Sequence, residues 1–129
     1  MEKLQNCIKK KSIHTSHSRE VIYRILLESS GCLCASEILE LAYEIYPVKI
    51  SINTLYRHLR LFVECDLIVA VQSDLQKAYY CYKTSEKICF SICPVCHRVE
   101  KLCLEDEMLP AAFKECDYIS VHRKCQQCI

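Results

Sequence analysis

Apolar residues recur at helical spacing three times in the first half of the chain. Val21, Ile22, Ile25 and Leu26 make one stripe, and Ile38, Leu41, Ala42 and Ile45 make a second. Gly31 separates the two, Ser36 is available to cap the second helix, and Pro47 stops it. Ser51 can cap a third helix whose buried stripe is Ile52, Leu55, Leu59 and Phe62. The period then shortens to that of strands, with Leu67–Val71 and Ala78–Tyr82 flanking the polar turn Ser73–Lys77. Three helices followed by a hairpin predict a winged helix.

The outer face of the third helix carries the first candidate chemistry. Asn53, Thr54, Tyr56, Arg57 and Arg60 project away from its apolar stripe. This mix of donors and one aromatic ring suits a DNA major groove, where Arg reads guanine or phosphate and a ring edge packs on a thymine methyl. Winged helices also mediate protein contacts, so the face alone leaves an interaction module open. Formal net charge is only +1, which argues against bulk electrostatic binding. Charge is uneven, however: residues 1–24 hold six basic groups, Lys10 and Lys11 among them, against two acidic ones. The positive end is N-terminal.

Twelve cysteines in 129 residues change the picture again. The first residues lack an apolar segment of the signal-peptide kind, so reduced thiols in a cytoplasm are expected rather than a secreted disulfide framework. No apolar run reaches the roughly 18 residues of a membrane span. Cys93-Pro-Val-Cys96 and Cys125-Gln-Gln-Cys128 are two matched clips. Two thiolates two residues apart turn onto one tetrahedral ion, and two such turns make a closed shell that suits zinc and leaves no open catalytic position. The alternative is a free redox dithiol or a disulfide. Residues His97 through Lys124 lie between the clips, long enough for a small subdomain, so two small domains are expected. Cys93-Pro94 also matches a short haem-contact dipeptide, and His97 and His122 flank the clips as supporting groups rather than ligands. Cys7, Cys65, Cys103 and Cys116 read as small core residues. Nothing points to an enzyme: no Glu accompanies a His-Cys-Cys set, and one glycine cannot build a phosphate-cradling loop.

With these residues in hand, the chain resembles the ferric uptake regulator (Fur) family. ISINTLYRHLRLFVECDLI (50–68) is similar to the family's recognition helix and exit, HTSHSREVIYRILLE (14–28) and CASEILELA (34–42) to its preceding helices, and the clips to its zinc knuckles. The resemblance implies an α+β chain: a winged helix-turn-helix DNA-binding domain over 1–82, a hinge at 83–87, and a small α/β zinc-containing dimerisation domain over 88–129. Ile88–Ile92, Val99–Leu104 and Tyr118–Val121 read as strands of that second domain and Glu105–Cys116 as its helix. It further implies a cytoplasmic, homodimeric transcription repressor with one structural zinc per protomer, bound to an inverted-repeat DNA operator. Tyr56 and Arg57 would contact bases, Arg19 would support a phosphate contact, and His14 stands where the family has a basic residue reaching the minor groove.

Departures from the family pattern concern the regulatory ion. The histidine-rich stretch before the first knuckle is replaced by Ser85–Ile92, with Cys89 as its one soft donor, and the loop before the third family helix reads Cys32-Leu33-Cys34. Cys81 stands where the family has a hinge glutamate, and Asp117 where it has a histidine. Cys32, Cys34, Cys81 and Cys89 therefore form a candidate thiolate site for a second, unidentified metal or for reversible oxidation. The alternative function is a zinc-stabilised interaction module or a thiol redox sensor without metal-dependent DNA switching.

Overall fold

The computed structural model describes residues 2–10, 16–29, 31–72, 77–83, 88–103, 116 and 118–129. Two compact units make up the chain: residues 1–71 with 78–82, and residues 72–77 with 83–129. All but the last residue of the helix expected over Glu105–Cys116, the turn residues 73–76 and most of the expected hinge lie outside the described residues. No helix among them is long and apolar enough to cross a membrane.

In the first unit, α1 (Glu2–Lys10) precedes α2 (His17–Glu28), β1 (Leu33–Cys34), α3 (Ala35–Ile45) and α4 (Ile52–Glu64); β2 (Ile68–Gln72) and β3 (Ala78–Tyr82) form the wing. The strand order is β1-β3-β2. The stripes of α2, α3 and α4 meet in a core of Ile22, Tyr23, Leu26, Ile38, Leu55, Leu59 and Phe62, with Tyr23 edge-on to Phe62 at 5.5 Å between ring centroids.

Four local readings are corrected here. First, α1 was not expected; Leu4 and Cys7 dock it on the same core. Second, α3 is capped not by Ser36 but by Cys34, whose backbone N–H donates to Glu37 Oε1 at 3.1 Å, so the helix begins one residue before Ser36. Third, Ile52 leaves the α4 stripe: in the first turn it sits at the rim, 45% exposed, and His58 takes a central buried place instead. Fourth, Cys7 and Cys65 are not separate core thiols but a disulfide, with Cα atoms 6.0 Å apart, and Cys116 is exposed.

Both ends of α4 are fixed by hydrogen bonds. Ser51 Oγ accepts from the Thr54 N–H at 3.2 Å. At the other end Leu67 N–H donates to Phe62 O (2.9 Å) and Asp66 N–H to Val63 O (3.0 Å), with Asp66 left-handed at φ 61°. This is a Schellman stop, with Leu67 and Phe62 supplying its apolar contact in the core.

The second unit is a three-stranded sheet of order β5-β4-β6, with β4 (Ile88–Ile92) antiparallel to β5 (Val99–Cys103) and parallel to β6 (Tyr118–His122). As the central strand, β4 buries consecutive residues Cys89 through Ile92. Phe90 meets Tyr118 edge-on at 5.8 Å.

Phe62 is fully buried between α2, the Schellman stop and the aromatic pair. Phe62→Ala is expected to destabilise the first unit by about 3–5 kcal/mol in denaturant unfolding followed by helical circular dichroism. A loss below about 1 kcal/mol would mean that the core does not centre on this ring.

Candidate nucleic-acid interface and metal centre

Two stripes divide α4. Leu55, His58, Leu59 and Phe62 face inward, and Asn53, Tyr56, Arg57 and Arg60 face solvent. Each set has the spacing i, i+3, i+4, i+7, and the two are offset by two residues, about 200° around the helix. The buried set clamps the helix so that its exposed set points away from the core as one polar ridge. Thr54 lies one step off that ridge, half-buried, and its hydroxyl is engaged with Ser51 Oγ at 2.8 Å. Helix-capping work and outward display are thus split between adjacent residues.

Arg19 and His58 join α2 to α4 beneath the ridge. Arg19 Nε–H donates to His58 Nδ1 at 3.4 Å, which leaves the neutral ring's proton on Nε2, where it reaches Ser18 Oγ at 3.0 Å. Arg19 is only 8% exposed and His58 2%. Burial first, then the neighbouring Arg57 cation, lowers the Arg19 guanidinium from its usual value. For His58, burial and then the Arg19 and Arg57 cations push the ring from 6.5 down to about 4. Sequence reasoning passed over His58 because a histidine reads as polar; its place in the spacing 55, 58, 59, 62 was the available signal. His14 and Lys11 lie outside the described residues, as does the side chain of Lys10.

In the second unit the two clips close on one point. The Sγ atoms of Cys93, Cys96, Cys125 and Cys128 all lie within 4.8 Å of one another, and Cys96 Sγ is 3.6 Å from Cys125 Sγ. A tetrahedron with metal–sulfur bonds of about 2.3 Å has sulfurs roughly 3.8 Å apart, so the four residues fit a zinc-sized ion. Backbone geometry builds each clip. Cys93 N–H donates to Arg98 O (3.0 Å), His97 N–H to Cys93 O (2.8 Å) and Cys128 N–H to Cys125 O (3.0 Å), with His97 left-handed at φ 63° to complete the first turn. The sulfurs compete for protons. The Cys96 and then the Cys125 backbone N–H lower Cys93 to about 6, whereas the side-chain hydrogen bond with Cys125 and then burial push Cys128 up to about 12. One thiolate forms readily and the last is strongly resisted, a conflict that a divalent cation removes.

A model of the ferric uptake regulator family matches residues 10–115. The chain belongs to this family. Fur-family proteins are transcription regulators that bind metal and DNA, not enzymes. The fold is similar to that of the Helicobacter pylori ferric uptake regulator, described as having three functional metal-binding sites: TM-score 0.81, 20% identity, 98% of this chain and 89% of that one covered. The Vibrio cholerae ferric uptake regulator is similar at TM-score 0.71 and 16% identity over 93% of this chain and 98% of that one. A zinc uptake regulator complexed with zinc and DNA is similar at TM-score 0.59 and 18% identity over 97% of this chain and 89% of that one. No curated protein sequence matches the chain.

In this Fur-family chain the remaining candidate cysteines are not members of the four-sulfur cluster. Among the described residues no other group of three or more potential ligands lies within reach of a common ion. Cys34 Sγ is 3.2 Å from Ser36 Oγ, and Cys81 Sγ contacts Tyr82 O at 3.5 Å. β1 pairs with β3 as Leu33 opposite Tyr80 and Cys34 opposite Tyr79, so Cys32 and Cys81 are the residues that adjoin the last pair of this ladder in each chain segment. Cys89 is buried in β4, and burial raises its thiol.

His58 carries a pH dependence. The unfolded chain takes up its proton near 6.5 and the folded one only near 4, so this contribution to stability is complete above pH 6.5 and is lost as pH falls through that window. At full size the loss is roughly 3 kcal/mol. His58→Gln, which can still accept from Arg19 and donate to Ser18, is expected to flatten the wild-type slope between those pH values in denaturant unfolding. An unchanged slope would show that the protonation lies elsewhere.

Proposed function

We propose that the chain is a cytoplasmic, homodimeric, sequence-specific DNA-binding repressor whose α4 enters the major groove of an inverted-repeat operator and whose second unit is held by one structural zinc per protomer. The observation that carries this reading is the outward ridge Asn53, Tyr56, Arg57 and Arg60, set opposite a clamped apolar stripe. Arg57 and Arg60 supply donors for guanine or phosphate, Asn53 for adenine, and Tyr56 an apolar ring edge. Thr54 stands beside them at the helix entry. Arg19, mostly buried, serves by fixing α2 against α4, with its phosphate role confined to the edge it exposes. Lys10 and Lys11 supply positive charge to the DNA backbone, and His14 is the minor-groove candidate. Tyr118 and Val121 on β6 are exposed apolar groups of the kind a second copy covers.

Zinc on Cys93, Cys96, Cys125 and Cys128 is supported by the tetrahedral fit of the sulfurs. Regulation by thiol chemistry, with Cys32, Cys34, Cys81 and Cys89 as the candidates, is supported by the β1–β3 register for Cys32 and Cys81. Such a site would favour a soft metal over ferrous iron, or oxidation.

Two experiments test the reading. On an operator selected from random duplexes, Arg57→Ala and Tyr56→Ala should each lose about 1–3 kcal/mol of base discrimination, while Lys10→Ala or Lys11→Ala should weaken all sequences alike and lower the salt slope by about one. Undiminished affinity and selectivity in Arg57→Ala would remove α4 from the groove. Cys96→Ser should abolish stoichiometric zinc and unfold the second unit, read by metal content and amide exchange, because a site that forms only on folding contributes its binding energy to folding. A folded, zinc-free variant would contradict a structural role.

A further inference from the structure

The Cys7–Cys65 disulfide joins α1 to the helix whose outer face forms the ridge, and it does so at a structurally sensitive point. Cys65 is the C-cap residue of α4, between the last helical turn and the left-handed Asp66 of the Schellman stop. Cys7 is one of two described residues, with Leu4, by which α1 enters the core. A third hold is the ammonium of Lys3 over the Tyr82 ring, 5.6 Å from its centroid. Among the described side chains of α1, then, Lys3, Leu4 and Cys7 hold it to the unit, and one of these holds is a covalent bond. The pair is also reachable. Cys7 and Cys65 line an open cavity of about 620 Å³ together with Lys3, Asn6, Glu64, Asp66 and Leu67.

From this geometry we infer that Cys7 and Cys65 are a reversible thiol oxidation site that latches α1 onto the C-terminal stop of α4. The oxidant is a peroxide. The half-buried Cys65 sulfur attacks one peroxide oxygen, the O–O bond breaks, and the thiol's proton leaves on the departing oxygen, so that a sulfenic acid and one water form; the Cys7 thiol then attacks that sulfur and a second water leaves. Two thiols lose two electrons and two protons in all, and hydrogen peroxide becomes two waters. Small monothiols reverse the step: two molecules give up two electrons and two protons, return both cysteines to thiols and leave as their own disulfide. The oxidised state crosslinks positions 58 residues apart, removing conformations in which α1 leaves the core. The reduced state keeps Leu4 in the core and the Lys3 cation on Tyr82 but loses the covalent hold.

The test uses the full-length, zinc-loaded protein and needs no DNA, so it stands apart from the proposed regulator function. Fully reduced protein is titrated with hydrogen peroxide, the thiols are mapped by alkylation without reduction, and amide exchange over Leu4–Lys10 is measured at each point. We expect the Cys7–Cys65 crosslink to form before zinc is released, to disappear on adding glutathione, and to slow exchange in α1 at least tenfold. Cys65→Ala and Cys7→Ala, which each keep a small apolar group, should hold α1 at the fast rate whatever the peroxide. The wild-type comparison decides even where a variant fails to fold. Equal α1 exchange in reduced and oxidised wild type, or oxidation of the knuckle ahead of this pair, would overturn the inference.

Discussion

The winged-helix unit depends on how α4 is clamped. Its buried stripe locks its rotation about its own axis, Ser51 fixes where it starts, and the Schellman stop through Asp66 and Leu67 fixes where it ends. With rotation and both ends set, the direction of every exposed side chain follows from the 100° step of the helix. Tyr56 and Arg57 are displayed because Leu55 and His58 on either side of them are buried. His58 adds a polar constraint to this packing. Its ring must stay neutral to accept from Arg19, and burial, reinforced by two nearby guanidinium groups, enforces that state. A leucine there would fill the space but leave the Arg19 Nε–H without this acceptor, at a cost of order 1–3 kcal/mol.

The second unit meets a different constraint. Among the described residues its three short strands bury chiefly Cys89, Phe90, Ile92 and Val99. Four sulfurs gathered from both ends of the segment converge on one point. The clip sulfurs are poised for a cation because the two turns also bring the backbone N–H groups of Cys96 and Cys125 onto the Cys93 thiolate.

How much of this was legible depended on whether the signal was local. The helices α2, α3 and α4 carry their periodicity in consecutive residues, and each clip is four residues long, so both could be read from the chain. The swap of Ile52 for His58 left only the spacing 55, 58, 59, 62 as a trace, because what makes a buried imidazole tolerable is a hydrogen bond from Arg19, 39 residues away. The cap at Cys34 left a trace in the spacing Cys34-x-x-Glu37, but cysteine is a weak side-chain acceptor and the neighbouring Ser36 read as the better candidate. Helix α1 shows only Leu4, Cys7 and Ile8 among polar residues, one short turn of signal. β1 is two residues long and exists because β3 offers it an edge. Pairing of Cys7 with Cys65 is a tertiary fact, and twelve cysteines give the sequence no means of choosing it.

The central claim is that the ridge of α4 reads base edges in the major groove. Methylation of guanine N7, a major-groove atom, probes it directly. On a bound operator the account predicts protection of guanine N7 in two half-sites about one helical turn apart, and loss of binding when those positions are methylated beforehand. Binding that neither protects N7 nor is weakened by its methylation would contradict it.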